Sequence, residues 1–77
     1  MHFVKAVKYI KDYKLNLTFE NGMSKLVDLQ PHLEGEIFEP LKDLSYFKEV
    51  SVNPDIDTIV WSNSADFSPD FLFEIGQ

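Results

Sequence analysis

Residues 13–20 constrain this chain more than any other stretch. Tyr13, Leu15, Leu17 and Phe19 alternate there with Lys14, Asn16, Thr18 and Glu20. Apolar side chains at every second position fall on one side of a pleated strand and polar ones on the other, so the segment reads as a strand with one buried and one wet face. Asn21-Gly22 follows at once, the pair best suited to the positive φ angles of a type I′ hairpin turn. A strand that ends on such a turn must come back beside itself, and residues 23–29, Met-Ser-Lys-Leu-Val-Asp-Leu, supply the return. Upstream, residues 3–10 are rich in β-branched and aromatic types and lead into a turn at Lys11-Asp12. The expectation is a three-stranded antiparallel meander.

The second half reads differently. Residues 30–36 are breaker-rich, with one helical turn expected after Pro31, and Ile37 and Phe38 pin this connection to the core. Pro40 is expected at the first position of a short helix running to Leu44 or Tyr46, with Leu41 and Leu44 on one face. Residues 47–52 alternate again, with Val50 and Val52 on one side, and Asn53-Pro54-Asp55-Ile56-Asp57 carries strong turn chemistry. Residues 58–61 return as a fifth strand, apolar on both faces and therefore covered or central. A polar turn leads to Ser68 as N-cap, Pro69 at the first helical position and Asp70 in the first turn. The helix over about 69–75 presents Phe67, Phe71 and Ile75 at spacings of four with Leu72 beside them, and leaves Phe73 pointing away. The predicted class is α+β in one domain spanning residues 1–77: meander, short helix, β-hairpin, C-terminal helix.

A chain of 77 residues buries only about 60% of its unfolded surface, so a lone core is marginal. Small domains are usually reinforced by disulfides, metals or association. With no cysteine, disulfides and thiolate metal sites are excluded, which leaves the aromatic bulk and association. No apolar run approaches a membrane span of roughly 20 residues. The first residues lack the charged-then-apolar order of a signal peptide, so a cytoplasmic protein is expected.

Charge is unevenly placed. Residues 1–26 carry five lysines against two acids, a balance of +3, while residues 27–77 carry two lysines against eleven acids, a balance of −9; together they make the net charge of −6. There is no arginine. Nucleic-acid binders show a basic surface with prominent arginine, so direct binding of DNA or RNA by this domain alone is not expected. Lys5, Lys8, Lys11 and Lys14 read as solvated lysines that discourage edge pairing.

The groups able to carry chemistry are few. Asp55 and Asp57 flank Ile56 like a fragment of a calcium loop, but the sixth position from Asp55 is Val60 and the twelfth is Asp66, where an EF-hand needs Gly and Glu. They read as turn formers. His32 has no second histidine at ligand spacing and reads as a loop residue, and His2 as a frayed end. Asp66 and Asp70 resemble an acid–base pair in composition only, and their places suit a loop and a helix N-terminus better. No phosphate-binding or nucleophile motif is present, and no cofactor or metal is expected.

Four features occur together in this chain. They are residues 15–22 ending in Asn21-Gly22; Phe38-Glu39-Pro40-Leu41-Lys42-Asp43; Phe47 followed by Val50 and Val52; and Thr58-Ile59-Val60-Trp61 with Asp66-Phe67 and Pro69. In that order and spacing the chain resembles the small bacterial family described as domain of unknown function 2442, over nearly its whole length. The resemblance implies an α+β fold and no established activity, substrate or catalytic residue. Longer members look like this domain joined to a helix-turn-helix DNA-binding domain, and stand-alone members are often encoded beside another small domain, in the manner of toxin–antitoxin pairs. That implies a regulatory or interaction role. The chain departs from the family where Asp57 replaces a usual glycine, and where Ser62-Asn63-Ser64 replaces a usual Pro-Asn-Gly.

The functional expectation is a non-enzymatic protein-interaction or regulatory module, either a homo-oligomer or the acidic partner in a toxin–antitoxin-like pair. Its interface is expected around residues 61–73, at Trp61, Asn63, Asp66, Asp70 and Phe73. Tryptophan favours interface hot spots, while the place of Trp61 at the end of an apolar strand favours burial. The alternatives are a small-ligand-sensing domain with a pocket between sheet and helices and, last, an enzyme.

Overall fold

β2 (Lys14–Phe19) lies in the middle of a three-stranded antiparallel sheet, between β1 (Val4–Lys11) and β3 (Ser24–Asp28). The computed structural model describes residues 2–77. Leu15, Leu17 and Phe19 are all buried, and they pair across the strands with Tyr9, Val7 and Val4 on one side. The alternation in the sequence therefore sets the sheet's inner face. β1 obeys it less strictly: the pairing shifts between Val4 and Ala6 and again between Tyr9 and Lys11. These bulges leave Lys5 and Ile10 outside the ladder, so Val4, Val7 and Tyr9 face the core despite their uneven spacing. Lys5, Lys8 and Lys11 are exposed, and Lys14 is half-buried.

The turns differ from expectation. The first turn falls on Asp12-Tyr13, with Asp12 at a φ of 48°. The second hairpin loop holds three residues, Glu20-Asn21-Gly22, because Phe19 N–H donates to Met23 O at 2.8 Å and Gly22 N–H to Phe19 O at 2.9 Å. Only Gly22 takes a positive φ, 85°. The loop is thus a type I turn closed by a left-handed residue, and a two-residue type I′ turn, which needs two positive φ angles, is not formed.

Beyond β3 come two 3₁₀ segments, Gln30–His32 and Glu36–Lys42, and then α1 (Leu44–Phe47). The single helix expected from Pro40 is therefore two pieces. Pro40 sits inside the second 3₁₀ segment, and Asp43 ends that segment and caps α1 by accepting from Ser45 N–H at 3.0 Å. α1 closes in a tight turn, with Glu49 N–H donating to Tyr46 O and Val50 N–H to Phe47 O. β4 is consequently only Ser51–Asn53, shorter than the alternation over 47–52 predicts. It pairs with β5 (Thr58–Val60) in a second, separate two-stranded sheet. β5 is covered, with Thr58 and Ile59 buried, but it is not central to a larger sheet.

α2 (Pro69–Ile75) is capped by Ser68, as its sequence predicts, and buries Leu72 completely. Phe73 does not point away. It packs edge-on against Phe19 at 5.0 Å, stacks on the His2 ring at 3.7 Å, and lies under the Lys25 ammonium at 3.7 Å. Nor is His2 frayed: its N–H donates to Asp70 Oδ1 at 2.9 Å. After α2 the chain lies against β3, Leu26 and Gln77 exchanging two backbone hydrogen bonds of 2.9 Å. Gly76 permits this approach, since a Cβ there would meet Lys25 Cβ at 2.7 Å.

Aromatic rings join the two sheets. Tyr9 and Tyr13 of the meander meet Phe47 edge-on at 6.2 and 5.3 Å, Phe47 meets Trp61 at 5.6 Å, and Trp61 meets Phe67 at 6.0 Å. Such contacts contribute about 0.5–1.5 kcal/mol each beyond burial. A domain of this length has a total stability of about 4–12 kcal/mol. Removing Phe47 costs about 3–5 kcal/mol, so Phe47→Ala is expected to lose its cooperative thermal transition by circular dichroism. A melt within a few degrees of the parent would show that Phe47 is not the link.

The polar loop after Trp61 repeats the geometry of the Glu20-Asn21-Gly22 loop. Trp61 N–H donates to Ala65 O at 3.0 Å and Ser64 N–H to Trp61 O at 2.9 Å, matching Phe19 to Met23 and Gly22 to Phe19. Asn63 Oδ1 accepts from Ala65 N–H at 3.1 Å, as Asn21 Oδ1 accepts from Met23 N–H at 3.0 Å. Ser64 occupies the left-handed position with a φ of 71°. A Cβ there costs about 1 kcal/mol. Ser64→Gly is therefore expected to raise the melting temperature by about 4–8 °C; an unchanged or lower value would contradict this backbone.

Candidate functional site

The loop at 62–66 serves the fold at almost every polar group. Pro40 has no N–H, so the 3₁₀ segment that contains it cannot bond back to the Ile37 carbonyl. Asn63 supplies the missing donor: its Nδ2 bonds to Ile37 O at 2.8 Å. One side chain thus closes its own loop through Oδ1 and repairs the neighbouring segment through Nδ2. Ser62 Oγ lies 3.0 Å from the Tyr46 hydroxyl. Trp61 is only 2% exposed, and its indole N–H donates to Phe47 O at 2.9 Å. Thr58, the buried polar residue of β5, donates through Oγ1 to Phe67 O at 2.6 Å.

The residues expected at an interface therefore divide. Trp61 and Phe73 face inward, where they join sheet, loop and helix. Asn63 is half-buried and committed to two hydrogen bonds. Asp66 and Asp70 are exposed; the backbone at Asp66 bridges to Val60, and Asp70 accepts from His2. Asp55 and Asp57 lie in the β4–β5 turn. Asp57 has a φ of 56° and sits 3.5 Å from Lys5, a largely exposed pair that adds little to stability. No cluster of three potential metal ligands exists among the described residues.

Two surfaces stand out among the described residues. The first lies beside the loop, where Ile37 is 47% and Leu44 37% exposed. The Ile37 backbone is held by Asn63, and Tyr46, two residues after Leu44, is held by Ser62, so both aliphatic side chains belong to segments tied to one loop. Glu36, Glu39, Asp43 and Asp66 are exposed on the same segments. Sequence reasoning placed Ile37 in the core, and nothing in its local pattern marks it as exposed. The 3₁₀ geometry decides it, burying Leu41 and turning Ile37 outward.

The second surface is a groove of about 370 Å³ beside β3, where the chain after α2 docks. Leu26 and Asp28 line it from β3, Lys14 from β2, Pro31 and His32 from the first 3₁₀ turn, Ile75 from the end of α2 and Gln77 from the chain after it. His32, read from sequence as a loop residue, is indeed in that turn, with its ring edge-on to Phe71 at 5.1 Å. The other lining residues were not foreseen, because the groove forms only when the chain after α2 docks on Leu26. No helix among the described residues is long and apolar enough to cross a membrane.

No curated protein and no solved structure matches the chain. A family model, described as protein of unknown function (DUF2442), matches residues 4–76, from the start of β1 to the glycine that follows α2. This is the span occupied by both sheets, the aromatic links between them and α2. The chain belongs to the DUF2442 family.

Proposed function

We propose that this domain is a non-enzymatic interaction module that docks a basic protein partner on the face built from the Glu36–Lys42 segment, α1 and the loop after Trp61. Ile37 and Leu44, exposed on segments that also expose Glu36, Glu39, Asp43 and Asp66 against the single Lys42, which pairs with Glu39, carry this reading. An apolar centre with a charged rim is the anatomy of a protein interface, and the acidic rim sets the sign of the partner. The balance of −9 over residues 27–77 adds long-range steering toward a basic surface. Because Asn63 and Ser62 hold both segments, the face is rigid before binding, which lowers the ordering cost of association.

A second reading has support from the groove beside β3, whose volume of about 370 Å³ lies in the range of small-ligand sites. There the domain would act as a ligand-sensing regulatory module.

The docking face is tested by capturing the tagged protein's partner from its own host at low salt, purifying that partner, and titrating it calorimetrically. Ile37→Ser and the pair Glu36→Lys with Asp66→Lys are each expected to weaken binding by about tenfold or more, the charge-reversed pair losing its salt sensitivity. A partner that binds every variant equally, or a monomer that captures nothing, overturns the reading.

A further inference from the structure

Lys14 and Asp28 are direct register partners on β2 and β3, and both line the groove. Opposite charges so placed ordinarily pair with each other. Here they do not: the ion pairs among the described residues are Lys5 with Asp57 and Lys42 with Glu39. Asp28 is instead held by the backbone, its Oδ1 accepting from Gln30 N–H at 3.0 Å. Lys14 is half-buried, and its ammonium makes no hydrogen bond or ion pair with a described residue. Leu26, 42% exposed, and Ile75 add aliphatic surface between the charges and the end of α2.

Each simple class of ligand fails against this lining. An anion alone would meet Lys14 but also the Asp28 carboxylate. A cation alone would meet the reverse, and an apolar molecule would strip water from both charges without replacing it. A molecule carrying both signs on a short aliphatic body satisfies every wall. We propose that the groove binds a small aliphatic zwitterion of the free α-amino acid class. Lys14 takes the carboxylate, Asp28 takes the ammonium, and Leu26, Pro31 and Ile75 take the body. His32 also lines the groove, its ring edge-on to Phe71 at 5.1 Å. This assignment rests on the ligand-sensing reading and gives it a ligand class. The groove is open and its charges stay partly hydrated, so dissociation constants of about 1 mM are expected.

The test is a ¹H–¹⁵N NMR titration with L-leucine, beside 4-methylpentanoate, which lacks the ammonium, and 3-methylbutylamine, which lacks the carboxylate. Saturable shifts confined to Lys14 and residues 26–32 and 75–77 are expected with L-leucine, together with a melting-temperature rise of about 7–14 °C at twenty times the dissociation constant. Asp28→Asn, whose amide oxygen still accepts from Gln30, and Lys14→Met are each expected to weaken binding by about tenfold. Equal binding of 4-methylpentanoate and L-leucine would overturn the zwitterion assignment, and if its shifts stay in the groove the ligand-sensing reading survives with an anionic ligand. No groove response to any of the three probes overturns the assignment, and silence across a wider metabolite screen removes the ligand-sensing reading with it.

Discussion

The structure depends on what Trp61 does at the end of β5. Its ring lies between Phe47 and Phe67, and its indole N–H is satisfied by the Phe47 carbonyl. An indole donor buried without a partner would cost about 1–3 kcal/mol, a large share of the stability of so small a domain. The bond to Phe47 therefore permits the largest side chain to be buried, and that burial holds α1 against β5. Through Phe47 the contact reaches Tyr9 and Tyr13, so the two sheets, which share no strand ladder, are joined by rings. Aromatic contact does here what a disulfide or a metal does in many domains of this size.

A second economy lies in the loops. The Glu20-Asn21-Gly22 loop and the Ser62-Asn63-Ser64 loop use the same three hydrogen bonds, with asparagine before a left-handed residue in each. The β4–β5 turn also ends on a left-handed residue, Asp57. Positions 57 and 64 thus hold a left-handed backbone that glycine adopts freely, and this chain adopts it with Asp and Ser at a cost in stability. Asn63 is the residue of that second loop with most to lose. It completes its own turn and also supplies the hydrogen-bond donor that Pro40 lacks.

These internal duties reshape the functional picture. The segment 61–73 is mainly scaffold, and its loop ties down the Ile37 carbonyl and the Tyr46 hydroxyl. Lys8 and Lys11 stand on β1, while the acids from Glu36 to Asp43 stand on the segments beside the loop.

The meander, the Ser68 cap, the burial of Trp61 and the α+β class were legible in the sequence, because each follows from local rules: a period of two, a capping residue followed by proline, an apolar run closed by tryptophan. The loop type at Asn21-Gly22 was misjudged by one residue, since the dipeptide suits two turns and only the strand register chooses between them. The split of the middle helix, the separation of the two sheets, the inward turn of Phe73 and the exposure of Ile37 were not legible. Each depends on a group distant in the chain: Asn63 for Pro40, the aromatic rings for the second sheet, Phe19 and Lys25 for Phe73. The groove beside β3 is of the same kind, created where Gln77 pairs with Leu26 far along the chain. By itself the sequence determined which segments are strands and helices and which side of each is apolar, because those properties belong to neighbouring residues; tertiary structure alone decided which polar groups were consumed inside and which surfaces were left open, because hydrogen-bond satisfaction and close packing are settled between residues that meet only on folding.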